Sequence, residues 1–383
     1  MSKWAGKFII GLTGNIGTGK SVVRRMLEHL GAYGIDADAL SHRAIAKGSP
    51  GYLPVIEAFG RWVVGPDGEI DRQKLGRLVF ADPQGLAQLE EIIHPLVLQG
   101  MNWLIRRSTQ TVIVVEAIKL LEGSIANTCD SVWVTYAPQE VQLSRLTRSR
   151  KMTESEARLR IAAQPPQEAK INAASVVIRN DGSFEQTWKL VNEAWKKTVP
   201  SGTAEPPTAP IAVKAGRKLP QGEITIQRGR PRDSEAIAML VNRVKKDSTR
   251  LSNEDIMAAF GEKAFLILRV GAEVAAVLGW QVENLVSRTV DIHILPEIAP
   301  ADVLPPMIEE MERASRNLQC EASLVYVSSA LAQANFWQGL GYEARSPQNL
   351  GVSAWQEAAA ESMLPGATLL FKQLRVDRVL RPI

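Results

Sequence analysis

A glycine-rich loop close to the start of the chain constrains its fold more than any other feature. Residues 14–21 read Gly-Asn-Ile-Gly-Thr-Gly-Lys-Ser, the spacing of a phosphate-binding P-loop. The apolar run before it, residues 7–13, is typical of a strand, and the apolar positions of residues 22–30 follow a helical spacing. A strand, a glycine loop and a helix in this order predict a parallel α/β core whose loop binds phosphate.

The residue types of the loop indicate how it holds an anion. Glycines let the backbone approach phosphate oxygens, and the helix N-terminus adds a partial positive charge. We expect Lys20 to reach the β- and γ-phosphates of ATP and Ser21 to bind Mg²⁺. The predicted nucleotide-binding residues are therefore Gly14, Asn15, Ile16, Gly17, Thr18, Gly19, Lys20, Ser21 and Val22.

Composition narrows the class of protein. A length of 383 residues predicts two domains, and 45% apolar with 22% charged residues is the balance of a globular protein. A net charge of +4 is too even to indicate a nucleic-acid partner. Cys129 and Cys320 lie far apart, and no apolar run reaches the ~18 residues of a membrane span. We therefore expect a cytoplasmic protein with neither a nucleic-acid nor a membrane partner.

A proline-rich stretch divides the chain. Five prolines and no hydrophobic periodicity between residues 198 and 223 are typical of an interdomain linker. Strand-like and helical runs alternate before it, which predicts a parallel sheet, whereas the strands after it are arranged as hairpins. The predicted domains are residues 1–198 and 223–383, joined by a linker over 199–222.

Two aspartates follow the first predicted helix. Asp36 and Asp38 stand where the second strand ends, and ligands gather at the carboxyl ends of strands in such sheets. Either carboxylate is placed to accept a proton from an alcohol that receives the γ-phosphate. The other interpretation, open for both, is that the aspartate caps the next helix.

Further motifs give the N-terminal half a more specific resemblance. The segments GLTGNIGTGKS, GIDADAL, EIDRQKLGRLVF, LEEIIHPLV, QLSRLTRSR, EARLRIAAQ and VVIRNDGS occur in the order found in dephospho-coenzyme A kinases. The resemblance covers roughly residues 7 to 197. It implies a nucleoside-kinase-like P-loop fold with a helical lid, which uses ATP and Mg²⁺ to phosphorylate the ribose 3′-hydroxyl of dephospho-coenzyme A.

The resemblance also implies roles on the substrate side. Asp38 matches the general base of the family, and Thr13 matches the hydroxyl residue near the acceptor. His94, within the IIHP segment, matches a position that lines the substrate region; considered alone, it is typical of a packed histidine.

Three positions match the nucleotide and lid side. Arg145 and Arg148 match the lid arginines, which neutralise charge on the transferring phosphoryl group; both are also typical of a solvated helix face. Asn180 and Gly182 match a turn near the nucleotide base. Together with Lys20 and Asp38, Arg145 completes the implied catalytic set.

One position departs from the family pattern. Lys119 stands where a proline is expected, so neither Glu116 nor Glu122 is assigned a role. Two alternatives to the kinase stay open: a nucleotide-gated switch, and another small-molecule kinase. The chain has no guanine-reading Asn-Lys-x-Asp segment of a GTPase.

The C-terminal half resembles the GNAT acetyltransferases over most of residues 223–375, most clearly in the segment ANFWQGLGYEA. This implies an α+β domain that holds coenzyme A or acetyl-coenzyme A. The family's pyrophosphate loop bears glycine, whereas residues 296–306 contain none, which favours a non-catalytic or sensing domain over an active N-acetyltransferase. We expect Pro305 and Pro306 in the first turn of a helix and Tyr342 in a packing role.

Overall fold

The computed structural model describes residues 4–123, 125–149, 151–201, 211–213, 223–245 and 250–380. Most of the predicted linker, residues 199–222, lies outside these ranges. Within the described residues, no helix combines the length and the apolar character that crossing a membrane requires.

The N-terminal half begins with two strands and a series of helices. Up to residue 107 the elements are β1 (Phe8–Thr13), α1 (Lys20–His29), β2 (Tyr33–Asp36), α2 (Ala37–Ala44), α3 (Tyr52–Phe59), α4 (Arg72–Ala81) and α5 (Pro83–Arg107). Up to residue 198 they are β3 (Val112–Glu116), β4 (Ser131–Tyr136), α6 (Gln139–Ser149), α7 (Glu154–Ala162), α8 (Gln167–Asn172), β5 (Val176–Arg179) and α9 (Phe184–Thr198).

The C-terminal half is richer in strands. Up to residue 294 it contains β6 (Ile211–Val213), β7 (Ile224–Arg228), α10 (Ser234–Val244), α11 (Asn253–Ala259), β8 (Ala264–Val270), β9 (Glu273–Glu283) and β10 (Val286–Ile294). The rest contains α12 (Pro300–Asn317), β11 (Ala322–Ser328), α13 (Ser329–Ala332), α14 (Phe336–Gly339), β12 (Glu343–Ala344), α15 (Ser353–Glu361) and β13 (Ala367–Gln373).

The described chain forms two compact units, and neither is continuous in sequence. The first unit comprises Met1–Ile35, Thr109–Gln281 and Thr289–Met311. The second comprises Asp36–Ser108, Val282–Arg288 and Glu312–Ile383. The boundaries expected from composition, at residues 198 and 223, stay a prediction.

The first unit contains the parallel sheet that the sequence predicts. Its strand order is β2-β3-β1-β4-β5, and β1 pairs in parallel with both β3 and β4. Ile10 and Leu12 of β1 pack with Val23 and Leu27 of α1 and with Trp133 of β4 in one apolar core. Because helices cover a sheet of this kind, its strands are apolar on both faces. The α/β fold expected for the N-terminal half is confirmed, and the P-loop follows its central strand.

The same unit contains an antiparallel ladder in which β8 pairs with both β7 and β9. The predicted hairpin is confirmed: β8 and β9 are joined at Gly271, whose φ of 60° suits glycine. In the second unit β13 pairs antiparallel with both β11 and β12.

Helices α2 to α5 belong to the second unit. Their apolar side chains, among them Val55, Leu75 and Val79, form a separate core together with Ile45, which follows α2. The 25-residue helix α5 contains Pro95 in its interior. These helices follow β2 and precede β3, so the N-terminal half has a helical region between its second and third strands.

The expectation for Pro305 and Pro306 is wrong. Helix α12 begins at Pro300, so both prolines lie inside it rather than in its first turn. Each proline removes a backbone donor from the helix, at a cost in stability. The helix persists because its apolar face, which includes Leu304, Met307 and Ile308, is completely buried.

Candidate active site

The P-loop joins β1 to α1 through residues 14–19. Gly17 and Gly19 have φ angles of 75° and 88°, in the left-handed region. A Cβ atom on Gly19 would lie 2.0 Å from the Nδ2 atom of Asn180. Glycine is therefore required there both by the backbone conformation and by the close approach of a side chain.

Lys20 lies at the start of α1 and folds back over the loop. Its Nζ atom donates to the carbonyl oxygens of Gly14 at 3.1 Å and Asn15 at 3.4 Å. Only 9% of the residue is exposed. These contacts hold the ammonium group beside the loop, where it is available to phosphate oxygens.

A hydrogen-bonded chain of side chains lies beside the first turn of α1. Glu116, at the end of β3, accepts from the hydroxyl of Ser21 at 3.0 Å and from Nε of Arg24 at 2.7 Å. Arg24 also donates to Glu28 at 2.6 Å. Because β3 pairs directly with β1, its last residue comes next to the P-loop helix. The sequence alone had left Glu116 without a role.

Ser21 and Glu116 fit a magnesium ion that arrives with a nucleotide. Mg²⁺ prefers oxygen ligands and, when it accompanies phosphates, needs only one or two from the protein. A hydroxyl and a carboxylate, 3.0 Å apart, supply them. Among the described residues no group of three or more acidic, histidine or cysteine side chains forms a separate metal cage.

Arg145 and Asn180 lie together against the loop. Arg145, on α6, donates to the carbonyl of Gly17 at 3.2 Å and to the side-chain oxygen of Asn180 at 3.4 Å. Asn180 in turn donates to the carbonyl of Thr18 at 2.9 Å. Burial lowers the pKa of Arg145, which Asp181 partly offsets. Arginine titrates so far above neutrality that the side chain stays a cation.

Arg148 and Gly182 are more peripheral within this unit. Arg148 lies on α6, close in sequence to Arg145, and its side chain is exposed. Gly182 precedes Ser183, the N-cap of α9, and a Cβ atom there would lie 2.0 Å from the Oε1 atom of Gln186. Gln186 completes the capping box of α9. Glycine at position 182 is therefore explained by the space that Gln186 needs, in addition to the match with the family motif.

Threonine hydroxyls support the loop. Thr13 is fully buried and donates to the carbonyl of Ile118 at 3.1 Å. Thr18 donates to the carbonyl of Asn15 at 2.8 Å and lies 2.7 Å from the hydroxyl of Thr135. The remaining loop-side residue, Val22, is half-buried and packs on the core below α1. Thr13 is thus held by the protein backbone, and its role toward a substrate stays a prediction.

Three residues near the loop were missed by sequence reasoning. The Oε1 atom of Gln164 accepts from the backbone amide of Ile16 at 2.6 Å, and the carbonyl of Pro165 accepts from Asn15 at 2.8 Å. Lys170, on α8, is 6% exposed and donates to the carbonyl of Ile118 at 3.0 Å. The segment EARLRIAAQ, which ends at Gln164, carried the family resemblance but no residue role.

Asp36 and Asp38 differ in their local structure within the second unit. Asp36 is the N-cap of α2, because its Oδ1 atom accepts from the amide of Ala39 at 2.9 Å. Asp38 lies in the first turn of the same helix and is half-buried. The capping interpretation therefore holds for Asp36 and not for Asp38.

His94 and Lys119 are both exposed. The interpretation of His94 as a packed histidine is wrong, since its position on α5 faces outward and its neighbour Val97 fills the core instead. Lys119 lies in the turn that follows β3, where no regular element constrains it. The substrate-side role that the family resemblance implies for His94 stays a prediction.

The fold and site define a class of protein. A central parallel strand, a glycine loop bounded by Lys20 and Ser21, and an arginine with an asparagine against that loop are the parts of a P-loop phosphotransferase. The loop offers a positive environment for the phosphates of a nucleotide.

Comparison with known proteins identifies the family. The dephospho-CoA kinase family model matches residues 8–186. The dephospho-CoA kinase of Streptomyces avermitilis is 44% identical over 191 residues, which is 50% of this chain and 93% of that protein. That of Geobacter metallireducens is 42% identical over 194 residues, 50% of this chain and 96% of its own. The chain belongs to the dephospho-CoA kinase family through its N-terminal half, and it is a kinase.

Solved structures match both halves. TT1252 from Thermus thermophilus is 31% identical and covers 51% of this chain and 99% of its own, with a TM-score of 0.47. The C-terminal region matches GNAT acetyltransferases. One of them, the putative acetyltransferase YncA of Salmonella typhimurium, was solved with acetyl-CoA; it is 11% identical and covers 40% of this chain and 95% of its own, with a TM-score of 0.32.

Proposed function

We propose that the protein transfers the γ-phosphoryl group of ATP to the ribose 3′-hydroxyl of dephospho-coenzyme A, giving coenzyme A and ADP. The observation that carries the proposal is the convergence of Lys20, Arg145 and Asn180 on one glycine loop. These residues come from three motifs that occur in the family order, and long-range folding brings them to one place.

The phosphate side of the mechanism follows from charge. Backbone amides of the loop and the N-terminus of α1 bind phosphate oxygens, and Lys20 adds a full positive charge. As the phosphoryl group transfers, negative charge spreads over its equatorial oxygens. The guanidinium of Arg145 stabilises that charge, and Arg148, exposed on the same helix, is proposed to add positive charge on the solvent side of the nucleotide. Asn180 and Gly182 then belong to the turn beside the base.

Ser21 and Glu116 would hold a magnesium ion that accompanies the nucleotide, and such an ion would neutralise charge on the nucleotide phosphates. Arg24 keeps the carboxylate of Glu116 oriented through the 2.7 Å hydrogen bond to its Oε2 atom. The other carboxylate oxygen, Oε1, accepts from the hydroxyl of Ser21 and therefore faces the P-loop helix.

The acceptor side is assigned to Asp38. Its carboxylate accepts the proton of the 3′-hydroxyl while that oxygen bonds to the γ-phosphorus and the bond to the bridging oxygen of ADP breaks. Asp36 already serves as the cap of α2, which supports the choice of Asp38 as base. Thr13 and His94 are proposed to line the region that the substrate occupies.

The test is mass spectrometry of dephospho-coenzyme A incubated with the full-length protein, ATP and Mg²⁺. We expect a product one phosphate heavier, absent with Lys20→Ala because the loop loses its ammonium group. Lys197→Ala, which removes an exposed lysine of α9, is the matched control and should leave product formation unchanged. ATP binding without any product would instead favour the nucleotide-gated switch, and transfer to other nucleosides only would favour another small-molecule kinase.

A second candidate function concerns the C-terminal region. The matched acetyltransferase was solved with acetyl-CoA, and we propose that this region binds coenzyme A or its thioester without transferring the acetyl group. Support comes from the start of α12: residues 296–306 contain no glycine, and Pro300, the first residue of the helix, supplies no backbone donor for a pyrophosphate. Tyr342 is 2% exposed, donates to Ser323 at 2.8 Å, and has a pKa raised well above its usual value by burial. A tyrosine held in this way packs rather than acting as an acid.

Acetyl transfer is tested separately from the kinase. Incubation of the Lys20→Ala protein with acetyl-coenzyme A and a primary amine should release no free thiol. Steady thiol release, lost on addition of a thioester analogue, would establish the N-acetyltransferase alternative.

A further inference from the structure

A pocket of about 310 Å³ lies in the first unit, away from the P-loop. It forms where the end of α1, one face of α9 and the end of β7 meet. The lining residues are His29, Leu30, Trp188, Asn192, Trp195, Lys196, Arg228, Gly229, Arg230 and Pro231. A volume of this size is sufficient for a small organic ligand, since binding clefts begin near ~300 Å³.

Two walls of the pocket are aromatic and uncharged. Trp188 and Trp195 come from α9 and lie about two helical turns apart. The ring of His29 lies edge-on to Trp188, with centroids 6.3 Å apart, and its Nε2 atom donates to the carbonyl of Phe260 at 2.9 Å. Flat rings of this kind favour a ligand with a flat apolar part.

The charge of the lining is entirely positive. Lys196, Arg228 and Arg230 line the pocket, and no aspartate or glutamate does. Lys196 and Arg230 are exposed, whereas Arg228 is half-buried. A pocket with three cations and no acid attracts an anion.

Arg228 is the most informative of the three cations. Its Nε atom is buried and has no hydrogen-bond partner. Its nearest aromatic neighbour is Trp280, 5.9 Å from the guanidinium carbon to the ring centroid. Glu28 acts on Arg228 only through a longer-range charge interaction, and its carboxylate is hydrogen-bonded to Arg24. A buried donor without a partner is costly, and a ligand oxygen removes that cost.

We propose that this pocket binds a small organic anion that combines one flat ring with one carboxylate or phosphate group. The anionic group pairs with Arg228, and the ring lies beside Trp188 and Trp195. The site is distinct from the nucleotide site, because it lies at the C-terminal end of α1 and the P-loop lies at the N-terminal end. The ten residues of α1 separate the two by about 15 Å.

The test titrates the full-length protein by calorimetry in saturating ATP and Mg²⁺, so that the P-loop is already filled. Three probes share one ring: phenyl phosphate, phenylacetate and the neutral 2-phenylethanol. We expect one or both anions to bind and the alcohol to bind at least tenfold more weakly. Tighter binding of phenyl phosphate identifies a phosphate monoester as the ligand class, and tighter binding of phenylacetate identifies a carboxylate.

Variants locate the binding site. Arg228→Met, which keeps the length of the side chain and removes its charge, should weaken anion binding at least tenfold. Lys197→Met, on α9 next to Lys196 but outside the lining, should leave anion binding unchanged. If Arg228→Met does not fold, Lys196→Glu takes its place as the test of the site. The exposed lysine is dispensable for folding, and the reversed charge should weaken anion binding several-fold.

The proposal is overturned if neither anion binds or if the alcohol binds as well as the anions. It is also overturned if Arg228→Met, or Lys196→Glu where Arg228→Met does not fold, binds the anions like the wild type. These outcomes leave the kinase proposal untouched, since product formation from dephospho-coenzyme A is measured separately.

Discussion

Asp36 and Asp38 stand one residue apart and perform different work. Asp38→Asn should reduce turnover by ~10²-fold or more while ATP binding is nearly unchanged, because an amide cannot accept the proton of the acceptor hydroxyl. Asp36→Asn keeps a side-chain oxygen at the N-cap of α2 and should retain most activity and stability. Steady-state rates with calorimetric ATP affinities check both variants. Equal losses in the two, or wild-type turnover in Asp38→Asn, would contradict the assignment of the base.

The residue scale also shows what the sequence could predict. Lys20 and Arg145 were recognised because short motifs with fixed spacing carry them. Glu116 and Gln164 were not recognised, because their place in the site depends on hydrogen bonds to Ser21 and Ile16, which lie 95 and 148 residues away in the sequence. No local pattern marks a carboxylate that will meet Ser21, and only the pairing of β3 with β1 brings the two together.

At the scale of elements, periodicity and turn chemistry predicted the strands and helices of the N-terminal half. They were misleading for α12, whose prolines indicated a first turn but lie in its interior. Complete burial of Leu304, Met307 and Ile308 overrides the local cost of Pro305 and Pro306. Tertiary packing of this kind cannot be read from a local window of sequence.

Helix α1 serves two sites, with Lys20 at its first residue and His29 at its last. Burial, with a smaller contribution from Arg228, lowers the pKa of His29 to about 3. The unfolded chain, in which His29 titrates near the usual histidine pKa of 6.5, therefore binds more protons than the folded chain at mildly acid pH. The stability contributed by neutral His29 is therefore fully present above pH 6.5 and is lost as the pH falls toward 3.

His29→Gln tests this prediction, because glutamine can donate to the carbonyl of Phe260 and does not titrate. Between pH 7 and about pH 5.5 the free energy of unfolding of the wild type should fall by about 1 kcal/mol more than that of the variant. Urea unfolding at several pH values measures the difference, in which the contributions of His42 and His293 cancel. Parallel pH profiles for the two proteins would show that His29 titrates alike in the folded and unfolded states.

On the scale of the whole molecule, residues far apart in the sequence share the second unit. Arg43, from α2, donates to Glu321 at 2.7 Å and to the carbonyl of Asn284 at 2.5 Å. Glu321 is 1% exposed, and the oxygen that meets Arg43 also accepts from the amide of Val379 at 3.1 Å. The helices that follow β2 and the last residues of the chain are thus joined by one buried ion pair, which neither half could form alone.

Arg43→Met should therefore cost about 3–5 kcal/mol of unfolding free energy, because it leaves a buried carboxylate without its cation. The double variant Arg43→Met/Glu321→Gln should recover part of that loss, since the amide is neutral and still accepts from Val379.

Arg72→Met is the matched control: Arg72 pairs with Glu357 at 3.1 Å, but both side chains are about half exposed, so its loss should cost no more than about 1 kcal/mol. Urea unfolding followed by circular dichroism measures all three. If Arg43→Met costs no more than Arg72→Met, the pair does not join the two halves energetically. If it costs more and unfolding stays a single transition, the C-terminal residues fold together with helices α2 to α5. Removing those C-terminal residues would then disturb the kinase half as well.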